Sequence, residues 1–427
     1  MSRTASKRRT SQERPCGMSK AELVAMMAGL MALNALAIDI MLPAMPAMGE
    51  ALGVADPNDR QYVITSYLVG LACAQLVFGP ASDRFGRKAP LIVSLVGYSA
   101  VGLGCVFAPS FGWLVAARAV QGVFASGARV IALGVVRDAY RGRAMAEVMS
   151  LVMMVFMVVP IVAPNVGQVV LYLGPWPWIF AVLVAVGVAM AVWTALRLEE
   201  SLPPDQRRAI DPAALGRAYR RVLRTRTTVG YTVASGMIFG GLIAFIGSAE
   251  QIFSEVFDRR DGFTLYFAGV AGTMMFGSLV NSRWVRRIGM RRLSHAALVV
   301  FLALNTAEAA FLAGHGGTRS FAVFYGVLAA TFLCFSFIGA NFNALAMEPL
   351  GEIAGTAAAV IGFVSTLLSA GLGAMIGQRF DGTTLPLVSG FAVLSAGALV
   401  VVAVTERGRL FAEPAGASAA AAGAAAE

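Results

Sequence analysis

Residues Gly79 to Lys88 read GPASDRFGRK, a short polar segment between two long apolar runs. It sets one carboxylate, Asp83, among three cations, Arg84, Arg87 and Lys88, and brackets that carboxylate with Gly79 and Gly86. Solvated loop charge would account for the cations alone. It does not account for the glycines, which leave room for a neighbouring helix to come close and present its positive N-terminus to the carboxylate.

Outward from this segment the chain is apolar almost throughout. Of 427 residues, 58% are hydrophobic and 14% charged, whereas ordinary soluble domains are roughly a quarter charged. Runs of about 20 apolar residues, enough to cross a hydrocarbon core of roughly 30 Å, recur along the sequence. Twelve are predicted, near 22–44, 61–80, 91–109, 112–136, 145–170, 177–197, 228–250, 262–283, 293–314, 320–343, 354–378 and 385–405. Strand-length alternation is absent, which argues against a β-barrel. The fold class expected is an all-α integral membrane protein of twelve transmembrane helices in two six-helix halves.

The net charge of +10 comes from topology rather than from nucleic-acid binding. Twelve spans place 27 of the 34 Lys and Arg on the side of the N-terminus, against five on the other side, Arg60, Arg259, Arg260, Arg319 and Arg379. Arg118 and Arg129 lie inside the fourth span. That bias puts both termini in the cytoplasm, in a multi-pass inner (plasma) membrane protein. The basic start, with Arg3, Lys7, Arg8, Arg9 and Arg14, precedes an apolar run too long for a signal peptide, so the first span is expected to stay as an anchor. The expected division is a basic tail over 1–20, a half over 21–198, a linker over 199–227, a half over 228–405 and a disordered tail over 406–427. The linker holds Pro203, Pro204 and Pro212 and is rich in arginine, so it cannot sit in lipid. Cys16, Cys73, Cys105 and Cys334 show neither ligand spacing nor pairing, and no metal, nucleotide or other cofactor site is expected.

Three spans carry polar chemistry. In the fourth, Arg118 and Arg129 are 11 positions apart and share a face with Gly122 and Ser126. Intramembrane arginines normally face a bundle interior or water; snorkelling of Arg118 from the outer end is the alternative. In the first, Asp39 precedes IMLPAMP near the outer end, either as a proton carrier or as an aspartate that only orients the helix end. Glu250 and Glu308 are competing acids. In the fifth, MVVPIVAPNVGQ holds Pro160 and Pro164 one turn apart, each removing a helix hydrogen bond, and a bend or hinge is expected there. A mixed polar and apolar cavity would draw on Asn34, Tyr67, Gln75, Tyr231, Phe239, Asn341 and Asn343, although helix packing explains these residues equally well. GSLVNSRWVRRIGMRR, from Gly277, occupies after the eighth span the place of the Gly79 segment, with Asn281 nearest to Asp83.

The Gly79 segment resembles the loop between helices 2 and 3 of the major facilitator superfamily, G-x-x-x-D-R-x-G-R-[RK]. Arg118, Gln121 and Gly122 match that superfamily's R-x-x-Q-G, whose arginine is linked to proton coupling. The span around Pro160, Pro164 and Gly167 resembles the antiporter helix 5 signature, which seals the cavity, but has Ala163 and Gln168 where glycines are common. AMEPLGEIAGTAAAVIG from Ala346 and FDGTTLPLVSGF from Phe380 are similar to Bcr/CflA-type multidrug transporters. The resemblance covers about 20–405 and implies a proton-coupled exporter of small amphiphilic compounds, working by alternating access and as a monomer. Asp39, Arg118 and Gln121 would couple protons. Asp83, held by Arg84, Arg87 and the start of the eleventh span, would latch the outward-facing state. A sugar or nucleoside exporter or symporter, and a non-transporting receptor or assembly protein, are the rival expectations. An enzyme is not expected, because neither His295 nor His315 has catalytic partners in the pattern.

Overall fold

The computed structural model describes residues 15–207 and 211–411, so the basic start and the Ala-rich end lie outside the described residues. Every regular element among the described residues is helical. Among the described residues, eleven stretches are long and apolar enough to span a membrane, and the longest, Phe321–Gly377, contains two helices parted by a turn at Glu348–Ile353. The result is twelve long helices: α1 (Lys20–Asp39), α2 (Tyr62–Phe85), α3 (Lys88–Val106), α4 (Phe111–Ala139), α5 (Gly142–Leu173), α6 (Pro177–Arg197), α7 (Arg226–Gln251), α8 (Phe263–Ile288), α9 (Met290–Gly314), α10 (Phe321–Met347), α11 (Ala354–Gly377) and α12 (Leu385–Thr405).

Local chemistry sets the helix ends. Ser19 caps α1 by accepting from the Glu22 N–H at 3.2 Å, and Ser110 caps α4 by accepting from that of Trp113 at 3.3 Å. Gly86 ends α2 with φ +86°, a conformation that disfavours any side chain. Pro43 and Pro46 follow α1, where the chain turns through Leu42–Ala44 into a short helix, Met45–Ala51. The stretch read as a linker holds a helix, Pro212–Arg224. Its prolines and arginines mask an amphipathic pattern in which Val222 is the buried residue.

The chain divides into two compact units, Met1–Arg217 with Asp261–Ala268, and Ala218–Arg260 with Gly269–Glu427. In the first, α4 packs on α2 and α3, α3 on α6, and α1 on α5. A Cβ on Gly122 would lie 2.0 Å from the Tyr67 carbonyl oxygen, and one on Gly70 would lie 1.9 Å from that of Ala119. Glycine therefore lets α2 and α4 touch backbone to backbone, as small residues do in membrane bundles. In the second unit α7 packs on α11, α12 and α10, and α9 on α10 and α12.

Candidate functional site

Two polar networks stand out in the first unit. At its α2–α3 end, Arg87 is the hub, with 11% of its side chain exposed. Its Nε donates to Asp138 at 2.8 Å and its Nη1 to Asp83 at 2.7 Å and to the Ser82 hydroxyl at 2.7 Å. Glu200 completes the cluster by accepting from the backbone N–H groups of Arg87 at 2.7 Å and Lys88 at 3.2 Å. Burial pulls the Arg87 guanidinium down from its ordinary range, but the bond to Asp138 and the charges of Asp138 and Asp83 raise it on balance. One arginine thus ties the ends of α2, α3 and α4 to the chain leaving α6.

Parts of the expected latch are placed differently. Arg84 does not hold Asp83; it is exposed, with its guanidinium 5.3 Å from the Phe85 ring centroid. A Cβ on Gly79 would meet nothing within 4 Å among the described residues, so no packing within this unit requires a glycine there. At Gly86 a Cβ would lie 2.3 Å from the Glu200 carboxylate, so the group that needs this space is an acid serving the loop's N–H donors, not a helix end. Asp138 and Glu200 are absent from the sequence reading. They lie 51 and 113 positions from Arg87, and no local spacing signals them.

The second network lies inside the helices. Arg118 is fully buried, and its Nη2 donates to the Ala37 carbonyl at 2.9 Å, its Nε to that of Val63 at 3.2 Å and its Nη1 to Gln121 Oε1 at 2.8 Å. Its guanidinium stands 4.3 Å from the Tyr67 ring centroid, within cation–π range. This geometry excludes snorkelling. Tyr67 donates onward to Asn34 Oδ1 at 3.1 Å. Asp39 is 4% exposed, two residues from the carbonyl that Arg118 holds, and no described cation pairs with it. Arg118 likewise has no carboxylate partner among the described residues. The unit therefore buries one acid and one base with no ion pair to either among the described residues, an arrangement that is costly in membrane helices.

The α5 prolines do not break their helix, which runs unbroken from Gly142 to Leu173. Asn165 donates to the Ile161 carbonyl at 2.9 Å in this segment. A Cβ on Gly167 would lie 1.9 Å from the Ile40 carbonyl oxygen, so α5 rests directly on the turn that follows Asp39.

The cavity candidates separate. Asn34, Tyr67 and Gln75 are buried together around α1, α2 and α4, with Asn34 Nδ2 and Gln75 Nε2 lacking partners. Tyr231 is no cavity residue: its hydroxyl donates to Glu406 at 2.7 Å and meets His295 Nε2 at 3.0 Å, at the α8–α9 end of the second unit. Glu406 lies past the last apolar run, and no local spacing signals this pairing. Asn341 donates to Asn281 at 2.8 Å, Asn343 is exposed, and the exposed Phe239 meets Phe335 at 5.0 Å. Glu308 pairs with Arg319 at 2.7 Å.

A sequence model of the Major Facilitator Superfamily matches residues 27–374. The chain is 29% identical over 382 residues to an uncharacterised MFS-type transporter, YdgK, of Bacillus subtilis (strain 168), covering 87% of this chain and 92% of that one. It is 27% identical to a bicyclomycin resistance protein homolog of Haemophilus influenzae, covering 86% and 90%. Among solved structures, a D-xylose-proton symporter superposes with a TM-score of 0.68 at 15% identity, covering 90% of this chain and 96% of that one.

Proposed function

The chain belongs to the Major Facilitator Superfamily and is a multi-pass transporter, not an enzyme, and we propose that it exports small amphiphilic compounds, drugs among them, in exchange for protons. The observation that carries this reading is that Asp39 and Arg118 are both buried with no ion-pair partner among the described residues, and that Arg118 holds the α1 carbonyl two residues before Asp39. An acid that no protein cation neutralises can bind and release a proton without first breaking a salt bridge. Arg118 grips the carbonyl of Ala37, so a change in charge at Asp39 acts on the same turn of α1 that Gly167 of α5 supports. Proton binding and helix movement then share one element. Drug export agrees with the bicyclomycin-resistance relative and with the resemblance of the Ala346 and Phe380 segments to Bcr/CflA-type transporters.

In this reading the two halves alternate access, and the Arg87 cluster holds one of the two states closed. The bias of Lys and Arg to one side supports a plasma-membrane orientation with both termini on the cytoplasmic side. The test uses the full chain in liposomes with a pH-sensitive dye inside, under an imposed proton gradient. Adding ethidium or a neutral antibiotic moves protons with the wild type. Asp39→Asn abolishes that movement while leaving binding intact, and Arg118→Lys reduces it at least tenfold. Proton movement that persists in Asp39→Asn removes the acid from the mechanism. Binding with no movement of substrate or proton makes the protein a receptor instead.

A further inference from the structure

Arg129 is the one charged residue of α4 that the two networks leave unused inside the span. It lies 11 positions after Arg118, about three turns, and so points the same way. Ala125, Ser126, Ala128 and Ala132 around it are all buried, yet Arg129 itself is exposed. Its tip therefore reaches an opening in an otherwise closed helix face. Snorkelling does not explain it. Arg129 is ten residues before the end of α4 at Ala139, about 15 Å at 1.5 Å per residue, and helical side chains lean toward the N-terminus, away from that end. No described carboxylate pairs with it; the ionisable neighbour within electrostatic reach is Tyr67.

The groups beside it are also short of partners, and they can donate. α2 and α4 run in the same direction, since Gly122 lies against Tyr67 and Leu71 while Gly127 lies against Phe78. Four residues beyond Gly122 and Leu71, Ser126 and Gln75 therefore stand near one level, just short of Arg129 on its own helix. Ser126 Oγ and Gln75 Nε2 are buried with no hydrogen-bond partner, and Asn34 Nδ2, next to Tyr67, is in the same condition. Among the described residues, the interior of this unit thus holds two cations without an ion pair, Arg118 and Arg129, against one such acid, Asp39. Arg118 already donates three hydrogen bonds, to two carbonyls and Gln121, whereas Arg129 is exposed and has no described carboxylate partner.

We infer that Arg129, with Ser126 and Gln75, forms a subsite for an anionic group of the transported compound, so that the substrate class is a small organic anion or zwitterion, a carboxylate above all. A carboxylate accepts two parallel bonds from a guanidinium, and such charge-assisted pairs are roughly twice as strong as neutral ones. The substrate then supplies the counter-charge that the protein lacks. This rests on the export reading, and extends it from amphiphiles in general to those with a negative group.

The test compares 1-naphthoate with 1-naphthamide, equal in shape and different in charge, by calorimetry on the full chain in detergent at pH 7.5. Naphthoate binds at least tenfold more tightly than naphthamide. Arg129→Gln brings the two to equal affinity by weakening naphthoate alone, and Arg129→Lys, which keeps the charge but loses the fork, retains part of the preference. A melting temperature unchanged in both variants shows that they are folded. Equal affinities in the wild type, a preference that survives Arg129→Gln, or failure of both ligands to bind the folded protein at millimolar concentration each overturn the inference. Ethidium-driven proton movement in liposomes keeps the two readings apart. If it is present without naphthoate preference, the anion subsite falls and export stands. If naphthoate binding follows Arg129 and no compound moves protons, the subsite stands and export falls.

Discussion

Replacing Asp138 by asparagine removes one charge from the Arg87 cluster and little else. The two bonds between Arg87 and Asp138 measure 2.8 and 3.5 Å, and Asp138 is only 16% exposed, so solvent screens this pair weakly. A hydrogen bond to a charged group contributes about 1.5–3 kcal/mol to stability. Arg87 keeps Asp83 and Ser82 in the variant, so it is not left bare, and about 2 kcal/mol is a fair expectation for the loss. If the cluster exists in one conformation of the transporter and not in the other, this energy moves the equilibrium between them roughly 30-fold. A state populated at about 1% would rise to about a quarter of the molecules. Hydrogen–deuterium exchange read over 79–90, 134–142 and 198–202 reports it, because the N–H groups of Arg87 and Lys88 are held by Glu200. Exchange in all three segments accelerates together in Asp138→Asn. If the variant exchanges and transports like the wild type, the cluster is surface decoration and the latch reading is refuted.

Gly122→Val sets a side chain against the Tyr67 backbone 2.0 Å away, whereas Gly79→Val enters open space, so the first lowers the melting temperature in detergent by about 5 °C or more and the second leaves it nearly unchanged. Equal effects would show that α2 and α4 are not in backbone contact. Cys16, outside the spans, has its thiol pushed up to about 11 by burial and by the charges of Asp138, Glu199 and Glu200. A raised value means fewer thiolates at a given pH. Iodoacetamide at pH 8 should therefore alkylate Cys16 about 100-fold more slowly than a free cysteine peptide, with the rate climbing until pH 11, as followed by mass spectrometry. Alkylation at the free-peptide rate would place Cys16 in solvent, away from these acids.

What was legible in the sequence is what depends on local spacing. Apolar run length fixed the twelve helices, a four-residue interval tied Asp83 to Arg87, and an arginine in the middle of an apolar span announced Arg118. Partners far apart in the chain were not legible. Asp138 looks like any helix-end acid, Glu200 like part of a linker, and Glu406 like the start of a tail. Each acquires its role only when helix ends converge. Backbone partners were hidden for a different reason: Arg118 is satisfied by the carbonyls of Ala37 and Val63, and every residue type presents a carbonyl. Tyr231 was misjudged because an aromatic hydroxyl in an apolar run suits a cavity wall and a buried ion cluster alike.

The second unit decides which contacts of the Arg87 cluster matter most. Gly289 ends α8 with φ +86°, as Gly86 ends α2. Two residues later, Arg291 donates to Glu406, beyond α12, at 3.1 Å and to Glu348, beyond α10, at 3.1 Å. Each unit therefore uses an arginine just past a glycine turn, with acids drawn from the ends of its fourth and sixth helices. The acid one turn before the glycine differs: Asp83 lies three residues before Gly86, whereas Arg286 lies three residues before Gly289, and the polar Asn281 further back bonds to Asn341. The device survives loss of the local pair but keeps the distant ones. Energetics agree, because Asp83 is 47% exposed and such ion pairs contribute about 1 kcal/mol or less, whereas Asp138 is mostly buried. Asp83→Asn should therefore accelerate exchange over 79–90 by about fivefold or less, well below the effect of Asp138→Asn. The reverse order would return the latch to the acid that the motif displays, and make the tie between helix ends secondary.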